Sequence, residues 1–230
     1  MKNFINHVLD FVYPRICVSC EDPLTFNEKH LCLGCLMTLP KTQSHLTETE
    51  SIERKFWGKI NVQNTYSFLR FTKKGKVQNI LHALKYKNKP ELAEYLGKMY
   101  GNELKNVNFN EKIDLLIGIP LHKEKLKMRG YNQADHIAKG LSVSLGVPYS
   151  EDVMVRNTFT MSQTKTKSRF NRFKNIEGVF GINDLEAVKD NRIALVDDVL
   201  TTGSTLEVAG EVLIEAGCKE LYIITLAAAV

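Results

Sequence analysis

The sequence predicts an α/β domain built on a mainly parallel sheet, preceded by a small four-cysteine zinc module. Three observations carry this reading. From Val62 to the end, short apolar runs alternate with segments of helical spacing. Two of those runs, ending at Pro120 and at Asp197–Asp198, lead into loops of unusual chemistry, and ligands of such sheets bind beyond the carboxyl ends of the strands. Four cysteines fall into two CxxC pairs, Cys17/Cys20 and Cys32/Cys35.

Taken in order, residues 1–40 form the zinc-ribbon module, 41–55 a linker and 56–230 the main domain. Ser44–Glu53 contains seven Ser, Thr and Glu residues, the composition of an exposed loop. Val62–Phe71 is expected as a strand; Val77–Tyr86 and Glu91–Leu104 have helical spacing and are split by Pro90. Ile113–Pro120 reads as a short buried strand, followed by a basic loop and a helix over Asn132–Leu145. Arg192–Val199 is a second buried strand, Thr205–Ala216 a helix stopped by Gly217, and Leu221–Ala227 a last strand.

At 230 residues and 43% hydrophobic content, the chain can bury one substantial core with a small appended module. No apolar run reaches the roughly 18 residues needed to span a bilayer. Asn6, His7 and Asp10 interrupt the apolar N-terminus, so a secretory signal is not expected. The expectation is a cytoplasmic protein without a membrane partner. In that reducing setting thiols serve more often as metal ligands than as disulfides.

Eleven residues separate the two CxxC pairs. Two such knuckles present four thiolates to zinc at about 2.3 Å, and a shell filled by sulfur makes the metal structural. A redox reading would leave the second pair unexplained. His30 and His45 are expected at the surface, and Cys218 as a small buried residue rather than a nucleophile. His82 is expected to be packed or superficial; His122, following Ile119-Pro120-Leu121, is the better site candidate.

The segment Arg192–Leu206 carries the most information. Two adjacent carboxylates, Asp197 and Asp198, end an apolar strand, and burying both without partners is costly, so they should emerge towards polar ligands. Thr201, Thr202, Gly203, Ser204 and Thr205 follow, and then a helix. Small hydroxyl residues and a glycine there let backbone N–H groups converge on an anion, aided by the helix dipole. A cap at Ser204 or Thr205 would account for one hydroxyl. It would not account for two aspartates, four hydroxyls and a glycine within nine residues.

The formal net charge of +5 conceals segregation. Arg70–Lys89 holds seven basic and no acidic residues, Arg156–Lys174 six and none, and Leu121–Tyr131 has a net of +3. Solvated loops and polyanion-binding surfaces both fit this pattern. Lys123, Lys125, Lys127 and Arg129 are placed to meet a diphosphate, Gly130 permits a tight turn and Asn132 can cap the next helix.

VDDVLTTGSTL resembles the phosphoribosyl-pyrophosphate signature of type I phosphoribosyltransferases. IPLHKEKLKMRGYNQA (Ile119–Ala134) is similar to the hallmark of the ComF family of bacterial competence-associated proteins. The paired cysteines, LKYKNKPELA (Leu84–Ala93) and Arg156, Thr158, Gln163, Arg172 and Asn175 extend that resemblance over nearly the whole chain; Thr166, where a leucine is usual, departs from it. The resemblance implies the type I phosphoribosyltransferase fold. Asp197 and Asp198 would engage the ribose hydroxyls, in catalytic positions, and Thr201–Thr205 would cradle the 5′-phosphate. Lys125, Arg129, Asn132, Gln133, Gln163 and Arg172 would serve the diphosphate, with Mg²⁺.

Two functions stay open. One is phosphoribosyl transfer from phosphoribosyl pyrophosphate or a related ribose phosphate, with mainly electrostatic catalysis. The other is a non-enzymatic single-stranded DNA-binding or adaptor role among competence proteins, because the resemblance implies DNA uptake in natural transformation. Phe159, Phe170 and Phe173 interleave with Arg156, Arg169 and Arg172, as in single-strand binders.

Overall fold

All eight elements expected between Val62 and the C-terminus form, with ends shifted by a few residues. The computed structural model describes residues 14–47, 50–157 and 178–229. In chain order these contain α1 (Leu33–Met37), α2 (Glu50–Glu53), β1 (Asn64–Phe71), α3 (Lys76–Tyr86), α4 (Pro90–Lys105) and β2 (Leu115–Gly118). There follow α5 (Lys123–Arg129), α6 (Gln133–Leu145), β3 (Tyr149–Ser150), β4 (Met154–Arg156) and β5 (Phe180–Ile182). The chain closes with β6 (Arg192–Leu200), α7 (Ser204–Glu215) and β7 (Glu220–Ala229).

Five strands form a sheet in the order β1-β7-β6-β2-β3, and every neighbouring pair is parallel. β4 and β5 pair antiparallel beside it. Strands covered on both faces need continuous apolar runs rather than alternation, which is why β6 and β7 were legible as short hydrophobic blocks. Tyr66, Phe68, Ala194, Val196, Tyr222 and Ile224 enter one core with α3, α4, α6 and the cysteine module. Ile193, Leu195, Leu221 and Ile223 enter the other, with α7, the β4–β5 pair, Ile52 and Phe56. α4 and α6 approach almost backbone to backbone: a Cβ on Gly140 would fall 2.2 Å from the Glu94 carbonyl oxygen, and one on Gly97 2.4 Å from that of Ile137.

From β2 the chain moves outward to β3, and from β6 it moves the other way to β7. The order therefore reverses between β2 and β6. A crevice opens beyond their carboxyl ends at such a point.

Three expectations need correction. The stretch expected as a basic loop forms a helix, α5, with His122 Nδ1 accepting the Glu124 N–H at its start and Gly130 (φ 80°) closing it. None of its residues is buried, so no apolar periodicity announced it. Residues expected as an exposed linker instead edge the sheet: Arg70 N–H donates to the Pro40 carbonyl, Thr42 N–H to that of Phe68, and Ile52 is fully buried. That pairing covers the open edge of β1. His45, expected at the surface, has a side chain only 6% exposed, packed edge-on against the Tyr100 ring with centroids 5.8 Å apart.

Candidate functional site

The four cysteine sulfurs lie within 4.8 Å of one another, and Cys20 Sγ stands 3.7 Å from Cys32 Sγ. Sulfurs around a tetrahedral zinc at 2.3 Å are about 3.8 Å apart. Backbone N–H groups donate to the sulfurs, Cys32 to Cys17 at 3.3 Å and Cys35 to Cys32 at 3.4 Å, which supports thiolate character. Cys17, Cys20, Cys32 and Cys35 can hold a metal ion. The module is seated on the main domain: Asn79 donates to the Ser19 carbonyl at 2.8 Å, and the His30 and Tyr95 rings meet at 5.4 Å.

Beyond β6 an open cleft is lined by Asp197, Val199 and Thr201–Leu206. Its floor is the start of α7. The residue before that helix is Gly203, at φ 85°, which supplies no side-chain cap; the first N–H groups of a helix have no intrahelical partner, and that of Ser204 donates to Thr202 Oγ1 at 3.5 Å. The alternative of a cap at Ser204 or Thr205 is not formed. Ser204 Oγ instead meets Thr202 Oγ1 at 3.1 Å. A left-handed backbone favours glycine, and a Cβ there would also lie 3.2 Å from the Phe56 ring.

The two aspartates face opposite ways, as successive strand residues must. Asp197 is half-buried in the cleft wall. Burial pushes its carboxyl upward, the Asp198 charge adds to that, and the Asp198 N–H, Lys85 and Arg129 oppose it. Asp198 is buried and pairs with Lys85 of α3 at 3.2 Å, so it does not line the cleft as expected. Lys85 was visible only as one charge in a basic stretch, since pairing across 113 residues of sequence has no local signal.

The expected diphosphate residues divide. Arg129 donates to Gln133 Oε1 at 2.7 Å, and its buried Nε has no partner. Asn132 caps α6, accepting the Ala134 N–H, and donates to the Ile119 carbonyl, which ties α6 to the loop after β2. Gln133 is buried under Arg129. Lys125 sits apart on the exposed face of α5. Gln163 and Arg172 lie outside the described residues, as do Thr158, Asn175 and the three expected stacking phenylalanines. The end of α3 and the turn before α4 abut this group: Tyr131 donates to the Leu84 carbonyl at 2.6 Å, and Gly130 faces Asn88. Asp135, not singled out from sequence, packs over Gly118, and burial raises its carboxyl to about 7. Cys218 is raised to about 11 by burial, which suits a packed thiol rather than a nucleophile. His122 serves as a helix cap, and His82 is exposed against Tyr86.

Residues 82–229 match the family model of the phosphoribosyl transferase domain. Over its length the chain is similar to Competence protein F of Haemophilus influenzae, with 29% identity covering 93% of this chain and 96% of the relative. DNA utilization protein YhgH of Escherichia coli O157:H7 is 24% identical over 91% of this chain and 95% of its own. Competence protein ComFC of Bacillus subtilis is 25% identical, covering 88% and 79%. The mainly parallel sheet agrees with the type I phosphoribosyltransferase fold.

Proposed function

The chain belongs to the phosphoribosyl transferase domain family, within the ComF family, and on that premise we propose that it binds phosphoribosyl pyrophosphate or another ribose 5-phosphate. One observation carries this: a half-buried carboxyl of raised proton affinity, Asp197, shares a cleft with the uncapped start of α7. Opposite ends of a phosphorylated ribose complement those two features. The helix N-terminus suits the 5′-phosphate. The carboxyl accepts hydrogen bonds from the ribose hydroxyls.

Asp198 holds Lys85 beneath the site, and Arg129 adds positive charge beside Asp197. Gln163 and Arg172 belong to the proposed diphosphate set by resemblance. Mg²⁺ fits the donor set, because it takes oxygen ligands while keeping much of its water and a carboxyl resisting ionisation gains from a nearby cation. When bound, the ion would neutralise the diphosphate. Asp197 would hold the ribose hydroxyls from the cleft wall, Asp198 would keep Lys85 in place beneath them, and the first N–H groups of α7 would hold the phosphate.

The cysteine module is proposed as a structural zinc site, and residues 1–40 and 56–230 as module and domain, joined through residues 41–55. The proposed setting is cytoplasmic, in DNA uptake during natural transformation. No helix among the described residues is long and apolar enough to cross a membrane.

A second reading, a single-stranded DNA-binding or adaptor protein of the competence machinery, is favoured by α5. That helix buries none of its residues and exposes Lys123, Lys125 and Lys127 together with Met128. Calorimetric titration with phosphoribosyl pyrophosphate and Mg²⁺, run beside a diphosphate-release assay over candidate bases, tests the first reading. Replacing Lys125 and Arg129 by Glu should weaken that binding. Salt-dependent DNA binding without affinity for any ribose 5-phosphate would establish the second reading instead.

A further inference from the structure

The segment between α2 and β1 packs beside the cleft and precedes the matched domain in sequence. Two of its side chains touch the loop and a third touches the helix that follows. Lys55 Nζ donates to the Thr201 carbonyl, the Phe56 ring packs against Gly203, and Lys59 Nζ pairs with Glu207 at 3.1 Å. Thr201 and Gly203 line the cleft, and Glu207 is the acidic residue in the first turn of α7.

These contacts bear on charge as well as packing. An acid in the first turn stabilises the helix but opposes an incoming anion. Lys59 offsets that charge. Lys55 is half-buried, and the loop carbonyl takes one of its three ammonium donors. Among the described residues the other two meet no further acceptor, which leaves them for an anion beside the first N–H groups of α7.

We propose that Lys55 is a direct ligand of the ligand's 5′-phosphate, so that a segment outside the phosphoribosyl transferase match completes the phosphate site. Phe56 anchors the segment on Gly203, and Lys59 prepares the field by cancelling Glu207. This rests on the ribose 5-phosphate reading of the same cleft. It adds a cation that the cleft's lining residues do not provide.

The test is calorimetric titration of the full chain with ribose 5-phosphate at pH 5 and pH 7, across the second phosphate ionisation near 6. Wild type should bind more tightly at pH 7. Lys55→Gln retains a donor for the Thr201 carbonyl without the charge. Its affinity should fall about tenfold at pH 7, as for losing one charged hydrogen bond, and clearly less at pH 5. Lys55→Arg should recover most of the loss. Urea midpoints of both variants show whether the fold is kept.

Wild-type affinity for Lys55→Gln, or an equal loss at both pH values, would overturn the assignment and leave the binding site standing. Absence of ribose 5-phosphate binding by wild type would overturn the site and the assignment together.

Discussion

Replacing Gly203 by Ala tests the loop where its geometry is most demanding. At φ 85° a side chain costs about 1 kcal/mol relative to glycine. The new Cβ would also stand 3.2 and 3.3 Å from Phe56 Cε1 and Cζ. Phe56 is 2% exposed and held in the second core, so moving its ring adds roughly 1 kcal/mol, the lower end for overpacking. Together these predict about 2 kcal/mol of destabilisation, or a melting temperature lower by about 4–8 °C for a chain of this size. Phe56→Leu should relieve the crowding without touching the backbone penalty. The double variant should then be more stable than the sum of the single losses predicts, by roughly 1 kcal/mol. Urea unfolding monitored by circular dichroism measures stability, and calorimetry with ribose 5-phosphate measures binding, which should weaken at least tenfold as the loop shifts. Full additivity with Phe56→Leu would refute the packing argument. Unchanged ribose 5-phosphate affinity in G203A would refute the role given to the loop.

Asp198→Asn removes the charge facing Lys85. That charged hydrogen bond is worth about 1.5–3 kcal/mol; losing it frees Lys85 beneath the cleft, so ligand affinity should fall by up to that amount, and titration showing no change would remove Asp198 from the site. Protein purified without chelator should carry one zinc per chain, lost when Cys20 and Cys32 become Ser. Because so small a module buries little apolar surface, metal binding should supply most of its folding free energy, and elemental analysis finding no metal would refute the site. Asp114 accepts hydrogen bonds from the Arg192 guanidinium, which holds its carboxyl at about 2, below the usual 3.8. A depressed pKa stabilises the fold above about pH 4, and that contribution fades as pH falls from 4 towards 2. The side chain is 38% exposed, so screening limits its contribution to about 1 kcal/mol. Asp114→Asn should therefore cost that amount in urea unfolding at pH 7 and little near pH 2; an equal cost at both would exclude the ion pair as its cause.

The eight main elements were legible because each carries its own local signal. Pro90 opens α4, Gly217 follows α7, and the covered strands are continuously apolar. The cysteine module and the Asp197–Thr205 loop were legible as well, because their chemistry is concentrated in a few adjacent residues. The amino-acid order by itself thus determined the fold class, the cysteine quartet and the location of the cleft's lining loop. Tertiary structure alone decided that Asp198 turns to Lys85, that Arg129 lies over Gln133, and that the segment expected as a linker covers the edge of β1. It also decided that α5, with no buried residue, is a helix, and that Phe56 and Lys55 reach a loop almost 150 residues away. Periodicity and propensity act over a few residues, whereas these contacts join distant segments and depend on where the parallel sheet brings them.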